Sequence, residues 1–236
     1  MSARAVSQGP LATALARVED FLLEPAEPRR DVDPPPPSVR RPVVAVFGLA
    51  RRCGATTVAR ALAAELAARD GGAAAVSSPV SAAGIPLASP AAARLAKAMA
   101  DLPHARTKAV GRLCLIDGPS PMELADAARL EAPLVLDAGS DEVGGAPAAV
   151  ADHAVLVGAP SVEPALAAVV AGCLARVGPR PIVVLNRSRG PGEWEGRAAL
   201  ELPESRMGAQ LALGGREPRG ALGEAMAELA DRCGEP

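Results

Sequence analysis

The chain has 236 residues, a formal net charge of -2 at neutral pH and a mean hydropathy of +0.18. Hydrophobic residues make up 49% and charged residues 22%, the composition of a folded domain with a sizeable core and not of a disordered chain. Aromatics are 1%, namely Phe21, Phe47 and Trp194. This excludes a single-strand surface built on base stacking, and the slightly acidic balance withholds the basic field that nonspecific DNA binding needs.

In chain order, Leu11, Leu15, Val18 and Leu22 fall at helical spacing, with Thr13, Arg17, Asp20 and Glu24 opposite. The spacing predicts an amphipathic helix over Leu11–Leu23 that Pro25 stops. Seven prolines follow between Glu24 and Pro42, including Pro34 to Pro37, and such a stretch reads as an extended polyproline tether. Residues 1–42 are therefore expected to be a tethered helix, and residues 43–236 the globular domain. Beyond Pro42, apolar runs predict strands at Val43–Phe47, Ala73–Val76, Leu113–Ile116, Leu134–Leu136, Ala154–Val157, Ile182–Leu185 and Ala198–Leu202. Helical stretches alternate with them near Thr56–Arg69, Ala91–Ala100, Pro121–Leu130, Val162–Val177 and Gly220–Arg232. The expected architecture is an α/β domain of three layers, with a mainly parallel central sheet covered by helices on both faces.

Cys53, Cys114, Cys173 and Cys233 are far apart with no CxxC pair, and read as reduced, buried small hydrophobes. No apolar run approaches a membrane span, and Arg17, Glu19 and Asp20 interrupt any signal-peptide core. The expectation is a cytoplasmic protein.

The chemistry is concentrated in Val43-Val-Ala-Val-Phe-Gly-Leu-Ala-Arg-Arg-Cys-Gly-Ala-Thr-Thr. A buried strand runs into a loop bounded by Gly48 and Gly54, then into a helix at Thr56. Backbone amides and a helix N-terminus in that order cradle phosphate. A working loop of this kind ends Gly-Lys-Ser/Thr, with lysine on the phosphates and the hydroxyl on magnesium. Thr56 and Thr57 supply hydroxyls, but Ala55 stands where the lysine belongs. Lys97 and Lys108 are the only lysines, in a predicted helix and a predicted loop.

The segment resembles the deviant phosphate loop of the ParA/MinD-type ATPases, which runs Lys-Gly-Gly-x-Gly-Lys-Thr-Thr. Matched residue by residue, Ala50 replaces the signature lysine, Arg51 and Arg52 the two glycines, and Ala55 the second lysine. Gly54, Thr56 and Thr57 match. The resemblance extends over roughly Val43 to Arg232. Leu134-Val-Leu-Asp137 looks like the strand ending in the magnesium-side aspartate, and Ile182-Val-Val-Leu-Asn186 like the strand whose Asn contacts adenine. Ser77 and Ser78 stand where the family carries its catalytic aspartate. Within the family the chain looks most like the TadZ/CpaE branch associated with pilus assembly and polar localisation.

Phosphoryl transfer rests on positioning and on cancelling developing negative charge, and one lost stabiliser commonly costs ~10²–10³ in rate. With two lysines and one carboxylate missing, the resemblance implies a pseudo-ATPase that serves as a positioning or assembly scaffold. No residue is then assigned a catalytic role and no cofactor is expected. Its vestigial nucleotide site is Gly48, Arg51, Arg52, Gly54, Ala55, Thr56, Thr57 and Asn186, and its vestigial metal position is Thr56 with Asp137. One alternative is a genuine ATPase that binds ATP with magnesium through Arg51 or Arg52. Another is a DNA-binding partition protein using Arg187, Arg189, Arg197, Arg206, Arg216 and Arg219.

Three residue types carry open readings. Cys53 is either a loop thiol activated by its arginine neighbours or a buried hydrophobe. Trp194 either contacts a partner or folds back onto its own domain. His104 and His153 have no sequence partner and are given no role. The partners expected are a protein that receives the Leu11–Leu23 helix in a groove and, through the loop face, a second copy of the chain. Nucleic acid and a membrane span are not expected.

Overall fold

The computed structural model describes residues 41–80, 87–140, 143–190 and 192–234. The predicted helix over Leu11–Leu23 and the proline-rich tether up to residue 40 lie outside the described residues. From Val43 onward the order is β1 (Val43–Gly48), α1 (Ala55–Arg69), β2 (Ala74–Ser77), α2 (Pro90–Met99), β3 (Arg106–Val110) and β4 (Leu113–Asp117). There follow α3 (Pro121–Glu131), β5 (Leu134–Gly139), α4 (Ala146–Val150), β6 (His153–Gly158), α5 (Pro164–Val177), β7 (Arg180–Ser188), β8 (Leu200–Pro203), α6 (Arg206–Leu213) and α7 (Ala221–Gly234).

The strands form one sheet in the order β3-β4-β2-β5-β1-β6-β7-β8. Every neighbouring pair is parallel except β3 with β4. Side chains alternate across the sheet with the strand period of two. Val44, Val46, Val76, Leu115, Val135 and Val155 face the layer made by α1, α6 and α7. Val43, Ala45, Phe47, Ile116, Leu134 and Leu156 face a second apolar layer that includes buried residues of α2, α3 and α5.

Three elements, β3, the five-residue α4 and α6, were absent from the sequence prediction. β3 reads Arg-Thr-Lys-Ala-Val and is mostly half-exposed, as an edge strand tolerates, so it carries no apolar run. Lys108 therefore lies on this strand and not in a loop. Helix α6 is eight residues long with only Gly208 and Ala212 buried, too short for a periodic signal.

Helix α1 is buried almost all round, Ala55, Val58, Ala59, Ala61, Leu62, Ala63, Ala64, Leu66 and Ala67 being covered by the sheet on one side and by α6 and α7 on the other. A helix apolar on every face belongs inside a layer and not on a surface. Its sequence of small residues lets it approach the sheet closely. That approach fixes where its N-terminus, and the loop before it, meets the ends of the strands.

Candidate functional site

β1 is central, with β5 on one side and β6 on the other. Because the connections from β1 and β5 leave in different directions, a crevice opens beyond the C-terminal ends of these strands, where open α/β sheets bind ligands. The loop between Gly48 and Gly54 occupies that crevice. The Leu49 amide donates to the Val157 carbonyl at 2.9 Å, which ties the loop's start to β6. A methyl group on Gly48 would stand 2.7 Å from Cys53 Sγ, so the buried thiol fills the space under the turn. Cys53 is thus part of the core layer, as one of the two sequence readings has it. Cys114 and Cys233 are also buried, but Cys173 is exposed, against the expectation that all four lie inside.

The loop's end is clamped by β7. Asn186 Nδ2 donates to the Cys53 carbonyl at 2.8 Å, and Arg187 donates from Nη2 to the Arg52 carbonyl at 2.7 Å. Gly54 has φ +93, and a Cβ there would lie 2.2 Å from Asn186 Nδ2. Glycine is required at this point by conformation and by contact alike. Arg52 and Arg187 also have left-handed backbones, at φ 63 and 56. The Asn186 amide, which the resemblance assigns to a base, is engaged here with the loop's own backbone.

Gly48, Arg51, Arg52, Gly54, Ala55, Thr56 and Thr57 form one continuous turn into α1. Arg51, Arg52 and Thr56 are exposed, while Ala55 is buried. The arginines in the glycine positions therefore do not fill the turn. On the sheet side, Asp137 ends the apolar run of β5. Burial pushes its carboxyl above the ordinary carboxylate value, and the Thr56 hydroxyl, the Arg60 charge, the Gly139 amide and the Ser78 hydroxyl oppose that rise. Its Oδ1 has no hydrogen-bond partner among the described residues.

Arg60, one helical turn after Thr56, was missed by the sequence reading. It is fully buried, donates from Nη2 to Ser78 Oγ at 3.3 Å and lies 3.5 Å from the Leu213 carbonyl through Nη1. Burial lowers its pKa, and Asp137 opposes that. The available signal was an arginine set in Val58-Ala-Arg-Ala-Leu-Ala-Ala, a run otherwise apolar on all faces. Ser78, 4% exposed, is the hydroxyl that meets it.

Beside the loop lies a cavity of about 310 Å³ between α1, β7, β8, α6 and α7. Its walls are apolar, including Val58, Leu202 and Met226, and Arg52, Arg187 and Arg206 line it as well. Glu204, also on its lining, pairs with Arg189 at 2.8 Å, which holds the carboxyl below the ordinary value. Trp194 folds back onto its own domain: it is 3% exposed, packs with Ala167 and Leu185, and lies across Gly158, where a Cβ would meet Cη2 at 2.3 Å. Lys97 lies on α2, His153 is buried on β6, and His104 lies between α2 and β3, all in places separate from the loop.

No protein-family model matches the sequence, and neither does any curated protein. Solved structures do match. A ParA family ATPase from Chlorobium tepidum is 18% identical with a TM-score of 0.56, the alignment covering 80% of this chain and 97% of that one. The septum site-determining protein MinD from Pyrococcus horikoshii, complexed with Mg-ADP, is 16% identical with a TM-score of 0.57 over 81% and 95% of the two chains. The McdA–ATP complex from Cyanothece is 14% identical with a TM-score of 0.57 over 82% and 96%. The chain has the three-layer α/β fold of the ParA/MinD-type P-loop ATPases. Among the described residues no helix is long and apolar enough to cross a membrane.

Proposed function

We propose that this protein is a ParA/MinD-like pseudo-ATPase: the scaffold of the fold is kept, nucleotide hydrolysis is lost, and the surface serves positioning or assembly, as in the TadZ/CpaE branch it resembles. The observation that carries this reading is the charge inventory of the crevice. Position 55 contributes a buried methyl group, and Asp137 is served by protein hydroxyls and the charge of Arg60. The Asn186 amide holds the end of the loop on β7, in space that Gly54 leaves open. These residues lack the lysine that a magnesium-bound triphosphate needs on its phosphates.

Titration of the full chain with ATP and magnesium by calorimetry tests the reading. No heat of binding and no phosphate release are expected. Micromolar binding with turnover overturns it.

One observation favours a second reading. Arg52, Arg187 and Arg206 all line the cavity beside the loop, so a nucleotide could draw its counter-charge from there. An ATPase of that kind loses nucleotide binding on Arg52→Ala and gains affinity on Ala55→Lys, whereas both variants of a pseudo-ATPase behave like the parent.

A further inference from the structure

We infer that the cavity beside the loop, with the basic trough that continues from it, docks an acidic peptide segment of a partner protein, anchored by one apolar side chain. The inference deepens the scaffold reading and rests on it, because a bound nucleotide would claim the same arginines.

The cavity of about 310 Å³ is an apolar well, lined by Val58 and Ala61 of α1, Leu202 of β8, Ala209 of α6, and Leu222 and Met226 of α7. Arg187 and Glu204 line it and also a second, more open depression of about 560 Å³, which Pro160, Ser161 and Arg189 border. A well that continues into a trough suits an extended chain with one side chain turned inward. A compact ligand would fill the well and leave the trough unused.

Charge decides what flanks the anchor. Glu204 is the one carboxylate among the described residues lining either depression, and Arg189 occupies it, with Nη2 at 2.8 Å and Nε at 3.2 Å from the same oxygen. Arg52, Arg187 and Arg206 are exposed and form no ion pair among the described residues. Three elements thus each bring an uncompensated guanidinium to one apolar well, on a chain whose net charge is -2. A guanidinium presents a planar fork that matches a carboxylate, and clusters of arginine are a recurrent means of recognising acidic motifs. Two of the three are held in place: Arg52 and Arg187 have left-handed backbones at φ 63 and 56, and Arg187 Nη2 donates to the Arg52 carbonyl at 2.7 Å. Such conformations cost free energy outside glycine and persist where the surroundings impose them, often at ligand clamps. Nucleic acid would supply the negative charge, but no aromatic residue lines the well or the trough to stack a base. The occupant that answers both the apolar well and the surplus positive charge is a peptide with carboxylates beside one large apolar side chain.

The test is selection of short peptides from a random library on the immobilised full chain, followed by fluorescence anisotropy of those recovered. They are expected to carry Asp or Glu around one large apolar residue, and to bind more weakly as salt rises. Arg206→Glu should weaken their binding by about tenfold or more, since it reverses a charge that the peptide needs. Ala209→Trp fills the well from its wall and should weaken binding by about tenfold or more through loss of the anchor's pocket. If Ala209→Trp does not fold, serine in place of the peptide's apolar residue reads the anchor instead, with the same loss expected. Recovery of neutral or basic peptides, or of none, overturns the inference, and so does an acidic peptide whose affinity neither change alters. A random-sequence DNA duplex that binds the parent and is lost on Arg206→Glu would assign the arginines to nucleic acid and overturn it as well. Turnover of Mg-ATP would instead sink the proposed function, while peptide affinity measured without nucleotide still decides the docking site.

Discussion

At the scale of single residues, the loop depends on what is missing from side chains as much as on what is present. Gly54 combines a left-handed backbone with a neighbour, Asn186 Nδ2, already in the space a Cβ would take. Gly54→Ala is therefore expected to cost ~1–3 kcal/mol, the range for a forced left-handed residue plus a displaced contact. Adding Asn186→Ala should return part of that loss by vacating the space, which chemical denaturation of the three proteins will show. A Gly54→Ala protein as stable as the parent would mean that the clamp is not formed. The thiols give a second check. Burial pushes Cys114 and Cys233 up to about 12, so neither is a thiolate at pH 8, and Cys53 is buried under the loop. One thiol per native chain, Cys173, should react rapidly with a thiol reagent, and all four after unfolding. A thiol raised in the folded state favours folding fully below its ordinary value of 9.0, and that contribution is lost as pH rises through about 12.

At the scale of elements, α2, α3 and α6 each begin at a serine whose side chain caps the helix. Ser120 accepts from the Glu123 amide, and the Glu123 carboxylate takes the Ser120 amide and hydroxyl in return. This reciprocal cap holds the Glu123 carboxyl below its ordinary value of 4.5. A depressed carboxylate favours folding above its ordinary value, and the contribution disappears as pH falls through the folded one. Ser120→Ala should lower the thermal midpoint by about 2–4 °C at neutral pH, with a smaller deficit in acid. An equal deficit at both pH values would assign Ser120 a role independent of Glu123.

The same scale shows what the sequence made legible. Strands buried on both faces announce themselves as apolar runs, so β1, β4, β5, β6 and most of β7 were readable, as was the loop between Gly48 and Gly54. β3 and α6 were not, because an edge strand and a two-turn helix need little apolar patterning. Trp194 shows the limit of local reading: its Gly- and Arg-rich surroundings suggested exposure, yet Gly158, 36 positions earlier, leaves room for the ring. Arg60 was hidden for the same reason. Its partner Ser78 follows the end of β2, and only the packing of the sheet beneath α1 brings the two together.

At the scale of the whole molecule, the decisive quantity is how the folded domain responds to nucleotide. A ligand shifts a conformational or association equilibrium only by its differential affinity for the two states. In this chain the loop is already fastened to β7 through Asn186 and Arg187. If copies of the chain meet through the loop face, the exposed Arg51 and Arg52 lie at that contact, and the association must draw on acidic groups of the partner copy rather than on shared phosphates. Two outcomes follow for light scattering on the full chain. The mass should be the same with and without Mg-ATP, and any self-association should weaken as salt rises, because exposed charge pairs are screened. A mass that doubles only when Mg-ATP is added would show that the crevice still couples nucleotide to assembly, and the pseudo-ATPase reading would have to be abandoned in favour of the variant-loop ATPase.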